Sequence, residues 1–238
     1  MKIIGHRGAA GNYPENTMTA FDAAFEMGAA GIEFDVHRTQ DDHLVVIHDY
    51  DVSRTTDGYG RVKDLTLAKL QQLDAGSYRG EAFSQEKIPT VEQLLARYVN
   101  KPGFELYLEL KSGSLHYPGL EAQVVELYMA LSEEQRTRVQ ISSFDHQALL
   151  KIKKLCPSAR IGLSLDSNIL DPVQTAQAVG AESLNIKWDW ISPAFVALAH
   201  MADLKVIAWT VNTQDVVQVL EAMDVDAIMT DYPERWVE

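Results

Sequence analysis

Short apolar, β-branched runs recur along the chain at Lys2–Gly5, Gly31–Val36, Phe104–Leu110, Arg138–Ser142, Arg160–Leu165, Ser183–Ile186, Lys205–Thr210 and Asp226–Met229. Runs this short, rich in Ile, Val and Leu, predict buried strands. Between most of them the apolar positions switch to a helical period. Thr17–Met27 puts Met18, Phe21, Ala24 and Phe25 on one face, and Val91–Tyr98, Glu121–Leu131, His146–Leu155, Pro172–Val179, Pro193–Met201 and Gln214–Met223 are patterned alike. Strands alternating with helices imply parallel βαβ units. Eight such units close naturally into a (β/α)8 TIM barrel. The alternative α/β arrangement, a doubly wound open sheet, usually has fewer strands and a single switch point.

The strand spacing breaks once, between Val36 and Phe104. This gap holds a strand-like run, Leu44–His48, a polar stretch with Asp57-Gly58-Tyr59-Gly60, a helical piece around Leu65–Leu73, and Gly76 and Gly80. The pattern predicts one domain over residues 1–238, with a small insertion after the second strand at about 49–89. In a parallel barrel that insertion is a βα loop, on the face where catalysis takes place.

Composition narrows the function classes. A formal charge of −13 disfavours a broad nucleic-acid or anionic-membrane interface, yet it allows a small anionic substrate held by local cations. No window approaches the roughly 20 apolar residues of a membrane span. The stretch Met1-Lys2-Ile3-Ile4-Gly5-His6 is too short for a signal-peptide core, so the expectation is a cytoplasmic protein without stable membrane insertion. Cys156, the single cysteine, has no partner for an internal disulfide and reads as a packing residue. Nothing in the pattern fixes an oligomeric state.

The charged residues cluster where the strands end. The first strand ends in Gly5-His6-Arg7-Gly8, the second carries Glu33 and Asp35, the extra run ends in His48-Asp49, and the third ends in Glu109-Leu110-Lys111. Residues two apart on a strand point the same way, so Glu33 and Asp35 share a face, as do Glu109 and Lys111. Three carboxylates converging on one point repel each other unless a cation sits between them. An all-oxygen set suits a hard divalent ion, Mg²⁺ or Ca²⁺, better than Zn²⁺. His6 and His48 beside that ion can supply a general base and a general acid for displacement at phosphorus. Arg7 and Lys111 supply positive charge for phosphate oxygens. The other histidines, His37, His43, His116, His146 and His200, lack such company and read as structural.

These residues resemble the glycerophosphodiester phosphodiesterase family, in its cytoplasmic bacterial form. The resemblance runs through His6-Arg7-Gly8, Pro14-Glu15-Asn16-Thr17, Glu33-Phe34-Asp35, His48-Asp49, Ser53-Arg54-Thr55-Thr56, Gly58-Tyr59-Gly60 and Glu109-Leu110-Lys111. It continues in Ser143-Phe144, Trp209-Thr210-Val211-Asn212 and Thr230-Asp231-Tyr232-Pro233. It implies Glu33, Asp35 and Glu109 as metal ligands, His6 and His48 as the acid–base pair, and Arg7 and Lys111 on the phosphate. It also implies Glu15 near the metal and substrate. Asn16 or Thr17 can cap the first helix while Glu15 turns inward. Trp209 either walls the glycerol pocket or packs the barrel mouth. Ser143-Phe144 shapes the mouth and is not a nucleophile. The implied reaction hydrolyses a glycerophosphodiester, such as glycerophosphocholine or glycerophosphoethanolamine, to glycerol 3-phosphate and an alcohol. The resemblance implies the neighbouring glycerol 2-hydroxyl as the first nucleophile, through a cyclic phosphate that water then opens; direct attack by metal-bound water is the alternative route. The alternatives are a lysophospholipase D-like phosphodiesterase and a non-catalytic glycerophosphodiester-binding module. The first needs an apolar groove, and the insertion, with only Tyr59, Tyr78 and Phe83, is polar. The second usually lacks a histidine or a ligand, and here both histidines and all three carboxylates are present.

Overall fold

The computed structural model describes residues 1–112 and 117–237; His116 lies outside them. Eight parallel strands close into a barrel: β1 (Lys2–His6), β2 (Gly31–Arg38), β4 (Glu105–Leu110), β5 (Val139–Ser143), β6 (Ile161–Leu165), β7 (Ser183–Lys187), β8 (Lys205–Trp209) and β9 (Ala227–Thr230). Closure comes from the pairing of β1 with both β9 and β2. A ninth strand, β3 (Leu44–Val46), runs antiparallel to β2 at Val36–Arg38. β4 occupies one edge of β2 from Gly31 to Val36, so β1 and β3 share the other edge, β1 below and β3 above. This handover brings the residues after β3 beside the top of β2.

The helices follow the expected pattern. They are α1 (Met18–Glu26), α3 (Val91–Tyr98), α4 (Leu120–Met129), α6 (His146–Leu155), α7 (Pro172–Val179), α8 (Pro193–Met201) and α9 (Gln214–Ala222). Two one-turn helices, α2 (Leu67–Leu70) and α5 (Glu133–Arg136), complete the set; α5 has no counterpart in the sequence reading. Each barrel helix buries its apolar stripe against the outward faces of the strands. Ile32, Phe34 and Val36 face the helices, and Phe34 meets Phe21 of α1 edge-on at 6.3 Å. The alternate residues, Glu33 and Asp35, are thereby turned toward the barrel axis. Among the described residues, no helix is long and apolar enough to cross a membrane.

The barrel interior is split by polarity. Ile4, Tyr107, Ile207, Ala227 and Met229 form a small apolar cluster on one side. On the other side Ser183 Oγ sits between Gln140 Oε1 and Asn185 Oδ1, at 3.1 and 2.8 Å, its single O–H shared between them. Gly162 makes room for this group, because a Cβ there would lie 2.6 Å from Gln140 Oε1 and 2.8 Å from Asn185 Nδ2.

The segment between β3 and α3 has its own small core of Ile47, Val52, Val62, Leu70, Ala75 and Ile88, joined by Val45 of β3. It packs on the loop that follows β1. Arg79 donates to the carbonyls of Ala10 and Gly11, and the backbone N–H of Glu15 donates to Tyr78 Oη at 2.9 Å. That loop leaves the C-terminal end of β1, so these contacts lie on the same end of the barrel as His6.

Candidate active site

The loop after β1 is wound tightly to present its side chains. Arg7 and Asn16 have φ of 55° and 57°, in the left-handed region that costs a non-glycine residue free energy. At Gly8, φ is 84° and a Cβ would lie 2.6 Å from the carbonyl carbon of Ala20, so only glycine lets the loop rest on α1. The contorted backbone aims the Arg7 N–H at Glu33 Oε2, 3.1 Å away. Thr17 caps α1 by accepting from the Ala20 N–H, whereas Asn16 points inward and donates to Asp35 Oδ2 at 2.7 Å.

Glu33, Asp35 and Glu109 converge, each offering an oxygen within 4.8 Å of the others. Glu33 and Asp35 are two residues apart on β2, and Asp35 pairs in register with Glu109 on β4. Lys111 Nζ lies 2.9 Å from Asp35 Oδ1 and also pairs with Glu109. Arg7 reaches Glu15 at 2.9 Å and Asp35 at 3.3 Å. Burial works against charge on Asp35, but Lys111 and Arg7 outweigh it and hold this carboxyl well below the usual range. Burial pushes Glu33 well above that range, and Asp35 and Glu109 add to the push. Glu109 is likewise raised by burial, with Lys111 opposing and Asp35 adding.

The residues fit a divalent cation. Glu33 Oε1 is buried without a hydrogen-bond partner among the described residues, and the two glutamates resist ionisation as the site stands. A divalent ion would take up the orphaned oxygen and reverse the repulsion, with release of any proton held there. Arg7 and Lys111, expected on the substrate phosphate, are both engaged with these carboxylates while still lining the cavity.

Both histidines are backed by an aspartate. His6 Nδ1 lies 2.7 Å from Asp231 Oδ1, which turns its Nε2 toward Glu33 Oε2 at 4.0 Å. Asp231 is itself fixed by Asn212, whose Nδ2 donates to Oδ2 at 2.7 Å and whose Oδ1 accepts from the Asp231 N–H at 2.9 Å. His48 Nδ1 lies 2.6 Å from Asp49 Oδ1. Arg54 grips Asp49 and also donates twice to Glu15 at 2.7 Å, tying the segment after β3 to the loop after β1. Burial pushes the His48 imidazole below the usual histidine range; Asp35 opposes this, and Lys111 and Arg7 reinforce it. In the sequence, Asp231, Asp49 and Arg54 show no role of their own beyond the motifs they belong to. Barrel closure is the signal that points to Asp231, because the end of β9 must stand beside the end of β1.

A cavity of about 200 Å³ receives these groups. His6, Arg7, Glu33, His48, Glu109 and Lys111 line one side, and Ser142, Ser164, Asn185, Trp209 and Met229 the other. Trp209 donates its indole N–H to the Asn185 carbonyl at 3.0 Å and meets Phe144 edge-on at 5.5 Å, so it serves as both wall and packing residue. A more open groove of about 580 Å³ adjoins it and shares His48, Glu109, Lys111, Phe144 and Asp166. Glu15, held by Arg7 and Arg54, stands at the edge of the carboxylate cluster and does not line the cavity. The remaining described histidines lie apart from this group or serve other contacts; His200, for example, pairs with Asp226 at 2.9 Å.

Residues 6–235 match the family model described as the glycerophosphoryl diester phosphodiesterase family. A glycerophosphodiester phosphodiesterase of Caldanaerobacter subterraneus is 40% identical, over 99% of this chain and 96% of its own. A putative glycerophosphodiester phosphodiesterase of Bacillus subtilis is 43% identical, over 98% and 96%. Among solved structures, an Oleispira antarctica phosphodiesterase in complex with the product sn-glycerol-3-phosphate superposes with a TM-score of 0.86 at 30% identity. It covers 99% of this chain and 94% of that one.

Proposed function

The chain belongs to the glycerophosphoryl diester phosphodiesterase family, as an enzyme that hydrolyses glycerophosphodiesters, and on that basis we propose how its own residues carry the reaction. Glu33, Asp35 and Glu109 hold a divalent cation, Mg²⁺ or Ca²⁺, and His6 and His48 move the protons. The observation that carries this reading is that two aspartate-backed histidines line one cavity with Glu33 and Glu109, whose oxygens converge with those of Asp35. The cation, when bound, supplies positive charge for the phosphate oxygens.

The side chains do the rest. Arg7 and Lys111, which line the cavity beside the carboxylates, would hold the phosphate oxygens. One histidine Nε2 removes the proton from the attacking hydroxyl as the new P–O bond forms. The other gives a proton to the alcohol oxygen as the old P–O bond breaks, leaving a cyclic phosphate. The roles then exchange: the second histidine takes a proton from water as its oxygen bonds to phosphorus, and the first returns its proton to the glycerol 2-oxygen as that P–O bond breaks, giving glycerol 3-phosphate. Each histidine keeps its Nδ1–H on its aspartate, so Nε2 remains the atom that exchanges protons. The polar wall of Ser142, Ser164 and Asn185 suits the glycerol hydroxyls, and Trp209 closes that side. The substrates are diesters with small alcohols, such as glycerophosphocholine and glycerophosphoethanolamine.

Release of glycerol 3-phosphate from several head-group diesters, with Mg²⁺ or Ca²⁺ restored after chelation, tests the reading. Turnover of the soluble diesters with little on lysolipid micelles is expected. Preferential cleavage of the micellar lysolipid would favour the lysophospholipase D-like alternative, and no cleavage of either would favour a binding module. For the first histidine, Asp231→Ala is expected to lower kcat by about 10-fold or more with a smaller change in KM, since the imidazole loses its tautomer and aim. An unchanged kcat in a folded Asp231→Ala variant would show that Asp231 does not orient His6.

A further inference from the structure

His37 is fully buried two residues beyond Asp35 on β2, and both its ring nitrogens are engaged. Nε2 lies 3.0 Å from the backbone carbonyl oxygen of His48, which only accepts, so Nε2 carries the proton and donates. Nδ1 is then the acceptor, and Tyr117 Oη donates to it at 2.6 Å. The ring is also fixed from two sides. Tyr50 stands edge-on at 4.9 Å and Tyr117 at 5.5 Å, and the two tyrosines stack on each other at 6.5 Å.

The carbonyl that His37 holds belongs to the peptide joining His48 to Asp49. β3 ends at Val46, and the last ladder-like bond on this edge is Ile47 N–H to the Asp35 carbonyl at 3.0 Å. One residue later the chain must place His48 over the carboxylates and Asp49 against its Nδ1. The His37 bond sets the plane of the peptide between them, and with it the relative aim of both side chains. A buried polar group is costly unless satisfied, and here one of its two partners is the backbone of the histidine that faces the cavity.

We propose that His37, keyed by Tyr117, is a positioning residue that fixes the His48–Asp49 peptide and through it the reactive aim of His48. This rests on the reading of His48 as one of the two proton-transfer groups. It links Tyr117, which stands ahead of α4, to the segment after β3.

The test is a double-mutant cycle in the full-length enzyme with glycerophosphocholine as substrate. His37→Leu keeps the volume and removes the donor. It should lower kcat about 10-fold or more, the scale of a misplaced catalytic group, with KM within about two-fold. His37→Gln can still donate to the His48 carbonyl and should recover to within about three-fold of the parent enzyme. In a His48→Ala background His37→Leu should cost nothing further, because the pair acts as a unit. Tyr117→Phe, which keeps the ring, should cost about three-fold in the parent and nothing in the His48→Ala background, so the cycle stands even if His37→Leu fails to fold. Equal losses from His37→Leu or Tyr117→Phe with and without His48 would overturn the proposal, as would a Gln variant no better than Leu. Retained turnover in His48→Ala alone would instead sink the underlying two-histidine reading, which keeps the two failures distinct.

Discussion

Replacing either His6 or His48 with alanine is expected to lower kcat by about 10²–10⁴-fold, the usual worth of general acid–base catalysis by one group. Neither histidine is placed as a metal ligand, so metal affinity should change little. Thermal stability should also hold. His6 and His48 are partly exposed, and each gives up one bond to an aspartate that keeps other partners: Asn212 for Asp231 and Arg54 for Asp49. The two losses should be far from additive, since the proton taken by one histidine is matched by the proton given by the other. A nitrophenyl diester, whose alcohol leaves without protonation, should rescue the variant that lacks the acid and leave the other impaired. That comparison assigns the roles. Near-normal turnover in both folded variants would contradict the two-histidine mechanism.

Metal removal should be more drastic. Chelation is expected to abolish turnover and leave the fold intact, because Lys111 and Arg7 still compensate part of the carboxylate charge. Glu33→Gln should then show effects of opposite sign. It removes a buried carboxylate that burial and its neighbours Asp35 and Glu109 disfavour, so the metal-free variant should be as stable as the parent or more so. Its affinity for Mg²⁺ or Ca²⁺ should fall by at least about 100-fold, since even groups supporting a ligand are worth 10–100-fold. Stabilisation by added metal, about 2.7 kcal/mol at 100 times Kd in the parent, should largely vanish in the variant at the same concentration. Full activity in excess chelator, in protein shown by elemental analysis to be metal-free, would rule out the cation.

The sequence carried more of the fold than of the site's connections. The barrel was legible because each strand is a short apolar run and each helix has a 3.6-residue stripe, and these periods survive without tertiary information. Glu33 and Asp35 were legible for a related reason: charges two apart within a buried strand have few places to point. The bonds that complete the site run between distant residues and leave no local period. His6 and Asp231 are 225 positions apart and meet because β9 closes onto β1. Arg54 reaches Glu15 because the segment after β3 folds back over the loop after β1, a packing decision that its polar composition does not reveal. Lys111 shares a face with Glu109, as spacing predicts, but spacing could not foresee its ion pair with Asp35 on the neighbouring strand. His37 read as an isolated histidine because its partners, Tyr117 and the His48 carbonyl, come from elements separated from it in sequence.

In the proposed mechanism Glu33, Asp35 and Glu109 hold a cation beside the phosphate that His6 and His48 attend. A crystal of the enzyme grown with Mn²⁺ and glycerol 3-phosphate tests it most directly, through the anomalous signal of the metal. One strong peak is expected about 2.0–2.6 Å from oxygens of all three carboxylates, the range for hard divalent ions. The product phosphate should lie next to it, within hydrogen-bonding reach of His6 Nε2 or His48 Nε2. A peak elsewhere, or product bound away from both histidines, would contradict it.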